Sequence, residues 1–363
     1  MSAARAIDLE DAEGLLAADR EGLLRAASSA GAQVRAIAAA VEEGALESLR
    51  GDGRPRSVIW VAGRGTAETA GAILAATSGG AASEPIALLA EAPPWIGPLD
   101  VLIVAGDDPG DPALVSAAAT GVRRGARVVI VAPYEGPLRD STAGRVAVLA
   151  PRLWGSDEFA LCRYLAAGLA TLQAVDPRPS IDLASLADGL DAETLSNSAG
   201  RDLFTNPAKT MAARMAGRRV ALAGDCAATL ALARHGSSVL LRIAHEVVAA
   251  SGLADAVTAL RGSAAGSSVD ALFHDEEIDG PLPERLHVLV LTLADERTVV
   301  AARVAGLDDA HLIAAQDETD GPGGSTGAEV SPAPGGPVSP EQQLAVLAVR
   351  VEMAAVYMRL VRG

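Results

Sequence analysis

Several stretches of this chain carry side chains that could do chemistry together. Asp107, Asp108 and Asp111 lie within one short segment, and so do His274, Asp275, Glu276, Glu277 and Asp279. Either set offers the hard oxygen ligands that a divalent cation takes. Neither has a recognised ligand spacing, and an acidic turn after a strand is ordinarily solvated, so no metal site is assigned. Gly63-Arg64-Gly65 lacks the third glycine and the distal acidic residue of a dinucleotide fingerprint, so no nicotinamide cofactor is assigned and no other cofactor is implied. Cys162 and Cys226 cannot build a disulfide framework, and no Cys/His spacing marks a metal centre. His245 falls within an apolar helical stretch, where a capped or half-exposed role is the ordinary one. Lys209 is the only lysine among 30 basic residues. It closes the segment Asn206-Pro207-Ala208-Lys209, and its plain roles are to cap a helix or pair with a carboxylate.

The elements that must position these residues follow from periodicity. Residues 7–50 carry Leu, Val and Ile at helical spacings. Ser57–Ala62 is a short, wholly apolar run and reads as a buried parallel strand. A helix is expected from Ala67 to Ala76, and strands at Leu99–Ala105, Arg127–Ala132 and Arg145–Leu149. Helices are expected at Ala113–Arg124 and Glu158–Leu172. After a linker at Val175–Pro179 the alternation begins again. A strand at Arg219–Ala223 precedes helices at Ala227–His235 and Ser237–Ala250. Strands at Val269–Phe273, Leu286–Leu293 and Leu312–Ala315 follow, with a helix at Glu296–Val304. Residues 317–340 lack periodicity and are expected to form a mobile loop, and 341–360 form a closing helix. The fold class is α/β, with two tandem doubly wound parallel-sheet domains. The expected boundaries are 1–50 for N-terminal helices, 51–176 for the first domain and 177–363 for the second. Ligands of such folds sit at the carboxyl ends of the strands, often between domains.

Composition narrows the function. The formal charge of −16 argues against nucleic acid and against anionic membranes. No apolar run approaches the ~18 to 20 residues of a membrane span. The N-terminus turns acidic at once and lacks a signal-peptide core, so a cytoplasmic location is expected.

Five segments in order carry a resemblance. They are Gly63-Arg64-Gly65-Thr66-Ala67, Pro94-Trp95 with the strand after it, Arg124–Ile130 ending at Pro151-Arg152, Asn206-Pro207-Ala208-Lys209, and Ser339 followed by Leu344–Leu347 and Val356–Leu360. From about Val58 to Gly363 the chain resembles the bifunctional phosphoglucose/phosphomannose isomerases, which are built from two sugar-isomerase (SIS) domains. The resemblance implies carbohydrate metabolism, a sugar phosphate or related small molecule as ligand, and a homodimer. It implies Gly63, Gly65, Thr66 and Gly110 at a phosphate cradle, Arg152 at the active-site arginine and Ser339 at a small hydroxyl position.

The chain departs from that pattern where the chemistry is hardest. Aldose–ketose isomerisation needs a base, an acid and a phosphate cradle. Around Gly110 the family's hydroxyl-rich loop is replaced by Asp107-Asp108-Pro109-Gly110-Asp111-Pro112. The family's glutamate falls at Leu241, and its histidine has no counterpart near Gly252–Val257. His245 and Glu246 could serve as acid and base only by a register shift. The expectation is a catalytically degraded binding protein. The alternatives are an isomerase using Arg152, Glu246 and His245, or a structural partner of a sugar-phosphate enzyme.

Overall fold

A computed structural model describes residues 7–51, 53–80, 82, 84–153, 155–176, 182–262, 284–316 and 338–362. The strand expected at 269–273, the acidic turn at 274–279, most of the linker and nearly all of loop 317–340 lie outside the described residues.

The chain opens with α1 (Ala12–Ala18), α2 (Leu23–Ala27) and α3 (Ala30–Glu42). It divides into two compact units. One is Leu24–Thr194, and the other joins Met1–Leu23 to Leu195–Gly363. In the first unit β1 (Ser57–Ala62) leads to α4 (Gly65–Thr77), β2 (Ile86–Leu89) and β3 (Asp100–Ala105). Then come α5 (Pro112–Arg124), β4 (Arg127–Val131), α6 (Gly136–Thr142), β5 (Ala147–Val148), α7 (Leu161–Val175) and α8 (Leu183–Ser196). The five strands are parallel in the order β2-β1-β3-β4-β5. Every residue of β1 and β3 is buried, as continuous apolar runs covered on both faces must be. Asp100 fastens the amino ends of β1 and β3. It accepts from Arg56 Nη2 at 2.5 Å, Ser57 Oγ at 2.8 Å and Gly97 N at 2.8 Å. Burial pushes its carboxyl up, but these donors together outweigh burial and hold it below the ordinary range.

The first unit continues past the Pro177–Pro179 stretch at which the sequence reading divides the chain. Arg35 on α3 reaches Asp188 and Asp191 on α8, at 2.7 and 2.6 Å.

The second unit repeats the plan. After α9 (Pro207–Met215) come β6 (Arg219–Gly224), α10 (Ala227–Val239) and β7 (Ala249–Gly252). Residues 253–262 form α11. Then follow β8 (Leu286–Leu291), α12 (Arg297–Val304), β9 (Ala310–Ile313) and α13 (Pro340–Arg362). The order β7-β6-β8-β9 is parallel throughout and repeats the order of the first four strands of the first sheet.

One expected element is corrected. No separate helix spans Ser237–Ala250. The preceding helix runs through Gly236 to Val239 and ends in a π turn, Leu240–Ala244. His245 then adopts the left-handed region, with φ of 56°, and Ala249–Gly252 pair with β6 as a strand. Ala-Ala-Ser-Gly has little strand propensity of its own, so pairing with β6 decides its state. The edge strand β2 and helix α6 are likewise additions, and β5 is shorter than Arg145–Leu149.

Candidate functional site

The order of the first sheet places a topological switch point between β1 and β3, where ligands of open α/β sheets bind. The turns leaving those two strands form its walls. Gly65 begins α4 with φ of +67°, a conformation that only glycine takes without strain. Thr66 is buried in the first turn of α4, and its hydroxyl has no partner among the described residues.

The opposite turn closes on itself. Asp108 Oδ1 accepts the Gly110 N–H at 2.7 Å. Asp111 Oδ1 accepts the Ala113 N–H at 2.8 Å and caps α5. Asp111 Oδ2 lies so close to Gly63 that a Cβ there would stand 2.7 Å away. Pro109 and Pro112 bring no N–H. The donors and the positive dipole end of α5, which would otherwise attract an anion, face a carboxylate of the chain itself. Among the described residues no group of three or more His, Cys, Asp or Glu side chains converges to hold a metal.

Beside this crevice lies a cavity of about 500 Å³. It is bounded by α3, by the loops after β3, β4 and β5, and by the start of α7. Arg152 lines it. Its Nη1 and Nη2 clamp Glu43 on α3 at 2.8 and 2.5 Å. That fork holds the Glu43 carboxyl below its ordinary range and the Arg152 guanidinium above its own. The structure thus gathers Gly63, Gly65, Thr66 and Gly110 at the carboxyl end of the first sheet, with Arg152 in the adjoining cavity. Gln33, Glu43 and Arg163 also belong to this region. Nothing along the chain marks them, because α3 and α7 read simply as core helices.

In the second unit Ser339 Oγ accepts the Gln342 N–H at 3.2 Å and caps α13. One turn on, Gln343 Oε1 accepts the Ala294 N–H at 2.8 Å, so the start of α13 meets the loop that leaves β8. His245 and Glu246 lie elsewhere. They occupy the loop that enters β7, at the amino end of the parallel sheet. Glu246 pairs with Arg362, and Arg359 Nη1 stands 3.5 Å from His245 Nδ1. Leu241, 54% exposed, offers no proton acceptor.

Lys209 has a structural post. Its Nζ donates to the carbonyls of Ala199 and Arg201 at 2.8 and 2.9 Å, and lies 5.6 Å from the centre of the Tyr357 ring. Asn206 caps the Lys209 N–H at 2.9 Å and donates to Ser198 O at 3.0 Å. Tyr357 Oη donates to Asn197 O. The Asn-Pro-Ala-Lys signature is therefore a staple between the turn after α8, the start of α9 and α13.

Among solved structures the fold recurs along nearly the full length. Tagatose-6-phosphate ketose/aldose isomerase from Escherichia coli matches with a TM-score of 0.59 and 16% identity, covering 100% of this chain and 95% of that one. The C-terminal domain of glucosamine-fructose-6-phosphate aminotransferase from Francisella tularensis matches with a TM-score of 0.56 and 9% identity, over 96% of each chain. The hypothetical protein TT0462 from Thermus thermophilus matches with a TM-score of 0.60 and 11% identity, covering 97% and 89%. No family model matches the chain, and no curated protein matches it in sequence. These likenesses show the fold, two parallel-sheet α/β domains.

Proposed function

We propose that this protein binds a carbohydrate derivative through its first SIS-like unit and does not isomerise sugar phosphates. The observation that carries this reading is Asp111, whose carboxylate caps α5 and packs against Gly63 in the crevice where a phosphate cradle would lie. A phosphate dianion there would face Asp107, Asp108 and Asp111, a repulsion that a few hydroxyl contacts do not offset. The relocated acid and base receive no support, since Glu246 is tied to Arg362 at the amino end of its sheet.

The ligand of this reading is a sugar of low charge, reached by Arg152. Calorimetric titration with neutral hexoses and with hexose 6-phosphates is expected to show weak binding, with the phosphates no tighter than the neutral sugars. Arg152→Ala is expected to abolish that binding. Retention of binding by Arg152→Ala, or a clear preference for the 6-phosphates, would count against the reading.

The reading includes a homodimer in the cytoplasm. No helix of the described residues is long and apolar enough to cross a membrane. Light scattering at micromolar concentration is expected to return about twice the chain mass of 36.6 kDa, and a value near 36.6 kDa would refute the dimer.

A further inference from the structure

Two buried polar side chains line the cavity beside Arg152 and have taken no part so far. Arg163, on α7, is 8% exposed. Its Nη2 makes a long contact of 3.4 Å with Asp157 Oδ1, an oxygen that already accepts the Tyr164 hydroxyl at 2.7 Å. Its Nη1 has no partner among the described residues. Gln33, on α3, is 7% exposed. Its Nε2 donates to Ser29 Oγ at 2.8 Å and to Phe159 O at 3.2 Å, which fixes the amide with its oxygen as the open group. Gln33 Oε1 has no partner among the described residues.

Buried polar groups are ordinarily satisfied, and an open donor and an open acceptor on two residues that line one cavity describe what should fill it. A guanidinium edge matches a carboxylate or phosphate. An amide oxygen accepts only, so it asks for a hydroxyl or N–H. The charges along the lining are Arg152 and Arg163 against Asp107, Glu135 and Asp157, one negative charge in excess. That balance opposes a dianion more strongly than a monoanion. The volume of about 500 Å³ lies within the range of small-molecule sites.

We propose that this cavity binds a small polyhydroxy monocarboxylate, the chemical class of aldonates and uronates, with its carboxylate on Arg163 and a hydroxyl donated to Gln33. The inference rests on the carbohydrate reading above and names the ligand class of that unit.

The test is calorimetric titration of the full chain with D-gluconate, D-glucuronate, D-glucose, glucose 6-phosphate and L-lactate. At least one of the two sugar acids is expected to bind tenfold or more tightly than glucose, glucose 6-phosphate and lactate. Arg163→Gln and Gln33→Glu are each expected to weaken that binding at least tenfold. Gln33→Glu keeps the side-chain shape and sets a carboxylate against the incoming one, so it decides the matter should Arg163→Gln fail to fold. Glucose binding as tightly as the sugar acids would overturn the carboxylate assignment and leave the carbohydrate reading standing. Lactate binding as tightly would overturn the polyhydroxy assignment and with it the carbohydrate reading. Binding of the sugar acids unchanged in Gln33→Glu would overturn the site, and no binding of any probe would overturn both proposals.

Discussion

Lys209→Met is expected to destabilise the second unit by about 3 kcal/mol, the sum of two carbonyls left without their charged donor at roughly 1–3 kcal/mol each, less what the buried charge itself cost. Ala199 O and Arg201 O both depend on Nζ, and the turn they belong to also receives Asn206 and Tyr357. Loss of one donor therefore loosens a junction of three elements. Tyr357→Phe removes the hydroxyl that donates to Asn197 O and is expected to cost about 1 kcal/mol. Urea unfolding followed at several pH values checks both. Burial lowers the Lys209 pKa below its ordinary 10.5, so the folded state binds this proton less readily than the unfolded state. The corresponding penalty is present at neutral pH and is relieved as pH rises through the lowered value toward 10.5. Wild type should gain relative stability in that alkaline interval, and Lys209→Met should not. A loss below about 0.5 kcal/mol, the scatter of ordinary surface substitutions, would show that the carbonyls find other donors.

The central strands were legible because they are buried on both faces. Ser57–Ala62, Leu99–Ala105, Arg127–Ala132 and Arg219–Ala223 are runs of Val, Ile, Leu and Ala bounded by Gly, Pro or charge, a pattern that needs no tertiary information. The edges were not legible. Ile86–Leu89 is only half buried, and Ala249–Gly252 carries almost no side chain to read, so both become strands through their pairing with β1 and β6. The missing break at Gly236 has the same origin. A glycine within an Ala-rich helix is tolerated when it packs against a neighbour, and here a Cβ would meet Leu222 and Val351.

The place of the candidate site residues in the fold was legible to the same depth. The turns at Gly63–Thr66 and Asp107–Asp111 follow strands directly, so their place at the carboxyl end could be read along the chain. Arg163 and Gln33 could not, because burial of a polar group on a helix depends on what packs against it, and α3 and α7 are brought together only by the fold. Lys209 stood out by composition, yet its role is to hold backbone carbonyls rather than to meet a ligand.

The proposed lack of isomerase chemistry carries the largest expected effect. A general acid or base contributes ~10²- to 10⁴-fold in rate, and the resemblance puts Leu241 at one such position and no histidine at the other. Under the proposed reading, Asp111 takes up the Ala113 N–H at the start of α5 that a phosphate would otherwise use. His245 and Glu246 lie in the loop entering β7, with Glu246 bound to Arg362. The most direct measurement is a coupled assay for fructose 6-phosphate formed from glucose 6-phosphate and from mannose 6-phosphate, run on wild type and Glu246→Gln. The expected result is no turnover above background for either protein with either sugar. Robust turnover by wild type that disappears in Glu246→Gln would contradict the account and assign the catalytic base to Glu246.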